Sequence, residues 1–207
     1  MKNRPTLIRK IAVYAAYILL ITTIQVTFPG VISLKGLHPD MMLALVVLCS
    51  YMFGFGDGIV VGALVGILRD YFAGPSITSV DGSVVASTGI GLLMMILAAS
   101  FGSSFFTVRI ERNFAFAVFA VAAATLIYKI FGHVIIFAWS SAVAGVEYNM
   151  TARQALMNSV LPQLLLNTAC AVPLYAMLHF LGPYKKGINP VLIDEKSGGG
   201  SSLWLTM

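Results

Sequence analysis

The chain has 207 residues, of which 58% are hydrophobic and 10% charged, and its mean hydropathy of +0.90 sets it apart from soluble domains, which carry about 25% charged residues. Apolar runs near the ~20 residues needed to cross a bilayer recur along its whole length, which leaves no room for a soluble domain of ordinary size. A net charge of +5 does not mark a nucleic-acid binder, because the basic residues sit at the ends of apolar runs and not in one patch.

The runs are continuous and not alternating, which implies helices instead of a barrel. Lys2, Arg4, Arg9 and Lys10 precede an apolar run from Ile11 to about Phe28. Gln25-Val-Thr-Phe-Pro-Gly lacks a small-x-small cleavage site, so this run is expected to remain as the first span. Ala12 and Ala16 give it a small-x-x-x-small pair. After a loop over Pro29 to Asp40, a second span runs from Met41 to about Phe53, with Asp40 placed to cap its start. The short Gly54-Phe-Gly-Asp-Gly turn predicts an antiparallel third span. Gly74 to Gly82 breaks the helix, and the fourth span is expected from about Val84 to Phe105. A polar connection over Thr107 to Asn113 leads to the fifth span, Phe114 to about Ser140. Met150 to Ser159 is expected to lie amphipathically at the surface before a sixth span from Val160 to about Gly182.

The expected fold class is therefore all-α, a six-helix transmembrane bundle over residues 1–184. A tail over 185–207 contains Ser197-Gly-Gly-Gly-Ser-Ser, a flexible linker by composition. Nine Lys and Arg fall on the side of the termini (Lys2, Arg4, Arg9, Lys10, Arg109, Arg112, Lys185, Lys186, Lys196), against Lys35, Arg153 and the neighbourhood of Arg69 opposite. Both termini are thus expected in the cytoplasm.

Gly58, Gly62, Gly66, Asp70 and Gly74 recur every fourth residue. On a helix each such step advances about 400°, so they form one slowly drifting stripe. A stripe of small residues lets another helix approach closely in lipid. It serves either packing within the bundle or a groove for a helix of another protein. Asp70 within a span costs roughly 2.5–3.5 kcal/mol unless it finds a partner or water, and Arg69 points about 100° away from it.

Lys129 and His133 lie four apart on one face of the fifth span. They form a possible intramembrane polar cluster, read either as an anion site or proton pathway, or as an internal ion pair with Asp70 or hydrogen bonds to Gln25, Gln163 or Asn167. Cys49 and Cys170 lie inside apolar runs, which supports neither a disulfide nor a metal site. His-Glu-x-x-His, Gly-x-Ser-x-Gly and Gly-x-x-x-x-Gly-Lys patterns are absent from the sequence, so a non-enzymatic protein without cofactor or metal is expected.

Pro39-Asp40 opening a span, Gly54 and Gly56 at its end, then Gly62-x-x-x-Gly66-x-x-x-Asp70-x-x-x-Gly74 together resemble the MreD family of bacterial rod-shape-determining membrane proteins. The motif-bearing part covers about Pro39 to Gly102. By position, Pro39, Asp40, Gly62, Gly66, Asp70 and Gly74 match the family pattern, while Arg69 stands where an apolar residue is expected. The resemblance implies a subunit of the cell-elongation complex in the cytoplasmic (inner) membrane, supporting cell shape and lateral peptidoglycan synthesis. It implies MreC, a single-span coiled-coil protein, as direct partner, with RodA, a class B penicillin-binding protein and MreB contacted indirectly, besides membrane lipids. It also implies a fold similar to the S-components of energy-coupling-factor vitamin transporters. A transporter S-component is the alternative reading, with a pocket opening outward near Asp81 and the Ala12/Ala16 face docking on a coupling protein. A polyprenyl-lipid handling subunit is a third reading, for which the sequence offers no lipid-phosphate cluster.

Overall fold

The computed structural model describes residues 4–27, 33–34, 36–73, 76–78, 84–86, 89–107, 113–139 and 151–184. The expected linker over 185–207 lies outside the described residues, as do Gly74, Asp81 and Glu147. Helix α1 runs Arg4–Thr27, α2 Met41–Phe53 and α3 Phe55–Ala73. Strands β1 (Ser76–Thr78) and β2 (Val84–Ala86) follow, then α4 (Ile90–Thr107) and α5 (Phe114–Trp139). The short α6 (Ala152–Ala155) passes through a π-helical turn at Leu156–Val160 into α7 (Leu161–Leu181).

Three stretches, Leu7–Thr27, Phe114–Val134 and Arg153–Leu181, are long and apolar enough to cross a membrane, and α2 and α4 contribute shorter apolar helices. The outward faces carry exposed Leu19, Leu64, Leu97, Phe119, Phe131 and Leu165. An apolar exterior around internally bonded helices is what a lipid solvent demands. The chain is a helical membrane protein.

Polar contacts fix which helix ends meet. Gln25 late in α1 accepts from the backbone of Met41 at the start of α2, and Asp40 before α2 meets Arg69 late in α3. Asp70 accepts from Gly91 at the start of α4, and Tyr51 late in α2 reaches the carbonyl of Asn113 just before α5. The long helices therefore alternate in direction. The bundle has a proximal end, where Arg9 donates to the Gly182 carbonyl, and a distal end around Asp40.

Helix α2 is the centre of the core. Every residue from Met42 to Phe53 is buried, as befits a helix that is apolar all round. The Asp40 carboxylate caps its start, accepting from Leu43 N at 3.0 Å, as the sequence predicts. At ~1.5 Å per residue it reaches only about 20 Å, less than the ~30 Å hydrocarbon layer. Its capping groups consequently lie deeper than the ends of a full span. Gly54, at φ +97°, makes the turn into α3 in a region that L side chains rarely adopt.

The stripe packs within the bundle. A Cβ added at Gly58 would come 2.6 Å from Ser50 Cβ of α2, one at Gly62 would lie 3.0 Å from the Met95 carbonyl of α4, and one at Gly66 only 2.6 Å from Leu92 Cα. Of the two readings open at the stripe, the groove for a foreign helix gives way here, because the chain's own α2 and α4 fill it. Gly66→Ala is expected to cost about 1–3 kcal/mol by overpacking against backbone, lowering the melting temperature by roughly 2–10 °C. Gly132→Ala is the control, since no atom lies within 4 Å of its added Cβ; thermal melts of the two should move apart.

Two boundaries differ from expectation. Val84-Val85-Ala86, expected to open the fourth span, pairs as β2 with β1 in the register Ser76↔Ala86, Ile77↔Val85, Thr78↔Val84. The β-branched pair suits a strand, and helix α4 begins only after Gly89, at φ +99°. Of the surface segment expected over Met150 to Ser159, the part from Arg153 onward runs continuously into α7, giving one apolar helix of 29 residues, Arg153–Leu181. Its π turn ends two residues before Pro162, which has no N–H to donate.

Candidate functional site

At the distal end a polar network joins helices from most of the bundle. Pro39 brings the chain to Asp40, whose second carboxylate oxygen receives Arg69 Nη1 at 2.6 Å. The Arg69 guanidinium lies 5.0 Å from the centre of the Tyr128 ring, a cation–π arrangement on α5. The backbone N–H of Asp40 donates to Asn167 Oδ1 at 2.6 Å, and Asn167 Nδ2 donates to Thr125 Oγ1 at 3.1 Å. Gln163 Nε2 donates both to the His38 carbonyl at 2.6 Å and to Asn167 Oδ1 at 3.1 Å. Gln25 Oε1 accepts from Met41 N and Met42 N. Helices α1, α2, α3, α5 and α7 thus converge on a few buried groups, and Asp40 is 6% exposed and Asn167 fully buried.

Asp70 does something else. Its two oxygens accept from Gly89 N, Gly91 N and Leu92 N at 2.9, 2.7 and 3.1 Å, closing the start of α4. A carboxylate there satisfies otherwise orphaned N–H groups and opposes the positive end of the helix dipole. The expected ion pair between Asp70 and Lys129 therefore does not form. Gln25, Gln163 and Asn167 likewise bond to backbone, to one another and to Thr125, and not to Lys129. Lys129 instead interacts electrostatically with Asp40 and Arg69, and His133 follows one turn further along α5.

A second cluster, at the proximal end, centres on Asp57 in the first turn of α3. Its carboxylate accepts from the Lys10 ammonium, from Tyr14 Oη at 2.7 Å and from the Tyr184 hydroxyl. Phe53 packs between Tyr14 and Tyr184, with ring centroids 6.3 and 5.6 Å away. Burial and the bond to Asp57 push the Tyr184 hydroxyl above the ordinary tyrosine range, so it stays a donor at neutral pH. Asp57 is 8% exposed. The sequence presents it as part of a turn, although a buried carboxylate beside an apolar run needs a partner as much as Asp70 does.

Between α4 and α5 an apolar groove of about 300 Å³ opens on the outside of the bundle, lined by Leu97, Phe101, Ile127, Tyr128 and Phe131 among others. Ala12 and Ala16 on α1 are exposed. Both cysteines are unbridged. Among the described residues, no group of three or more His, Cys, Asp and Glu side chains is placed to hold a metal ion. What the distal geometry offers chemically is a fixed ion pair, a run of amides and a lysine beside them. Comparison of the chain with family models, with curated proteins and with solved structures finds no match.

Proposed function

We propose that the chain is a six-span, non-enzymatic subunit of the bacterial cell-elongation complex, resembling MreD, that binds MreC in the inner membrane. In this reading the proximal end faces the cytoplasm and the distal end faces outward. The observation that carries it is the convergence of the motif residues on a single joint. Asp40 caps α2 and holds Arg69, Gly62 and Gly66 admit α4, and Asp70 closes the start of α4. A motif used to build one rigid three-helix unit suits a scaffold that presents its outer faces to other spans. The groove between α4 and α5 is an apolar seat of the kind a single partner span would take. Arg69, which departs from the family pattern, is accounted for by its pairing with Asp40.

The test is co-purification of the tagged chain from its host in mild detergent, with bound proteins identified by mass. Recovery of a single-span coiled-coil protein together with wall-synthesis enzymes is the expected result. Glycine variants of the stripe report on folding, so docking is better probed by bulky substitutions facing the groove, such as Leu97→Trp. The exposed Ala12/Ala16 face favours the second reading, a transporter S-component that docks through α1. Recovery of ATPases with a membrane coupling subunit would establish that reading and overturn the first.

A further inference from the structure

Lys129 is the group at the distal end that the network leaves over. Both described carboxylates of the distal end are engaged: Asp40 by Arg69 and the α2 backbone, Asp70 by three backbone N–H groups at the start of α4. Among the described residues, Lys129 makes no hydrogen bond and no salt bridge, although it is partly buried and feels the charges of Asp40 and Arg69. An ammonium in a membrane-embedded bundle that no side chain bonds directly is costly. The long stem alone does not explain its placement, since a lysine at a span end would extend to the interface, whereas α5 continues for ten residues past it to Trp139.

The surroundings of Lys129 follow from helix geometry. Thr125 and Asn167 touch across α5 and α7. One turn further toward the distal end, α5 presents Lys129 and α7 presents Gln163. Gln163 in turn holds the carbonyl of His38. The imidazole Nδ1 of that same His38 is buried with no hydrogen-bond partner. A buried ring nitrogen left unpaired is unusual in a folded protein. Two groups able to donate, the Lys129 ammonium and the imidazole of the residue whose carbonyl Gln163 holds, thus remain unmatched at the distal end, flanked by amides already locked in place.

We infer that the distal end of the α5–α7 seam is an anion site for a phosphate-bearing group, with Lys129 as its point charge and His38 as a second donor. A compact ammonium suits a phosphate oxygen, which needs no bidentate fork. The chemistry is shared by a phospholipid headgroup, whose chains would lie along the apolar exterior, and by a free phosphate compound. This goes beyond the scaffold reading and does not depend on it.

The test uses the full-length purified protein and reads its thermal melting. One arm compares the protein in phosphate-free dodecyl maltoside micelles with the same micelles containing phosphatidylglycerol; the other adds inorganic phosphate, against chloride at equal ionic strength, to the lipid-free micelles. A ligand present at about five times its dissociation constant should raise the melting temperature by about 2–4 °C. A rise with phosphatidylglycerol alone assigns the site to a lipid headgroup, and a rise with inorganic phosphate assigns it to a free oxyanion. Lys129→Met should abolish the rise and Lys129→Arg should keep at least half of it. The inference is overturned if neither probe moves wild-type melting, or if Lys129→Met responds as fully as wild type. The wild-type arms decide the matter even where a variant folds poorly. Co-purification results bear on the partner and not on this site, so the two readings fail separately.

Discussion

Asp40→Ala is expected to lower the melting temperature of the detergent-solubilised protein by roughly 10 °C or more, the largest effect of any single substitution at the distal end. The loss has two parts. The first is the orphaned Arg69: removing one partner of a largely buried ion pair costs up to about 3–5 kcal/mol, because the remaining charge is mostly withdrawn from water. The second is the cap, whose removal from the start of α2 costs about 1 kcal/mol. The parts can be separated. Asp40→Asn keeps an oxygen for Leu43 N and loses only the charge, so it should retain the cap contribution. Asp40→Asn combined with Arg69→Met removes both charges and should recover most of the loss, since the penalty comes from the unpaired charge and not from the absence of a pair. A double-mutant cycle followed by thermal melting measures this directly. Single variants that melt within 2 °C of wild type would show that Arg69 finds another partner.

Asp57→Ala should have a comparable effect at the other end. Its carboxylate is where Lys10 and Tyr14 of α1 and Tyr184 after α7 meet. Truncation leaves three donors without an acceptor, two of them tyrosines partly withdrawn from water, and the expected loss is about 3–5 kcal/mol. Asp57→Asn should fall between, because an amide oxygen still accepts one hydroxyl while the attraction for Lys10 disappears. Limited proteolysis offers a readout that melting does not. If Asp57 fastens the ends, cleavage near Tyr184 should become faster in Asp57→Ala, while cleavage in the β1–β2 connection stays unchanged. Equal cleavage at both places would reduce Asp57 to a general contributor to stability.

How far the sequence could be read depended on whether the signal was local. Helix α2 was legible to the residue because Pro39-Asp40 and Gly54 bound a run of apolar residues, and a cap and a φ > 0 turn leave their marks in adjacent positions. The beginning of α4 was not legible. Val84 to Phe105 is rich in apolar residues on both sides of Ser87-Thr88-Gly89, so hydropathy alone does not separate strand from helix; Gly89, at φ +99°, and Asp70, which lies 21 residues before Gly91, set the division. The Asp40–Arg69 pair spans 29 positions and the Asp57–Tyr184 bond 127. No periodicity reports such contacts. Asp70 stands out because it interrupts a visible stripe of glycines, and Asp57 does not because the glycines on either side of it read as a turn. At Gly58, Gly62 and Gly66 the chain's own α2 and α4 come close, and spacing alone does not say whose helix faces such a stripe.

The distance in sequence between Asp57 and Tyr184 has a consequence for how the protein is made. A ribosome releases α1 and α3 long before Tyr184, so Lys10 and Tyr14 can reach Asp57 while most of the bundle is still to be synthesised. The third donor arrives 127 residues later, with the end of α7. The proximal link from Arg9 and Asp57 to the residues after α7 therefore closes as one of the final steps of biogenesis. Until then, an insertion factor or chaperone that shields α1 would meet a face that the finished protein no longer offers.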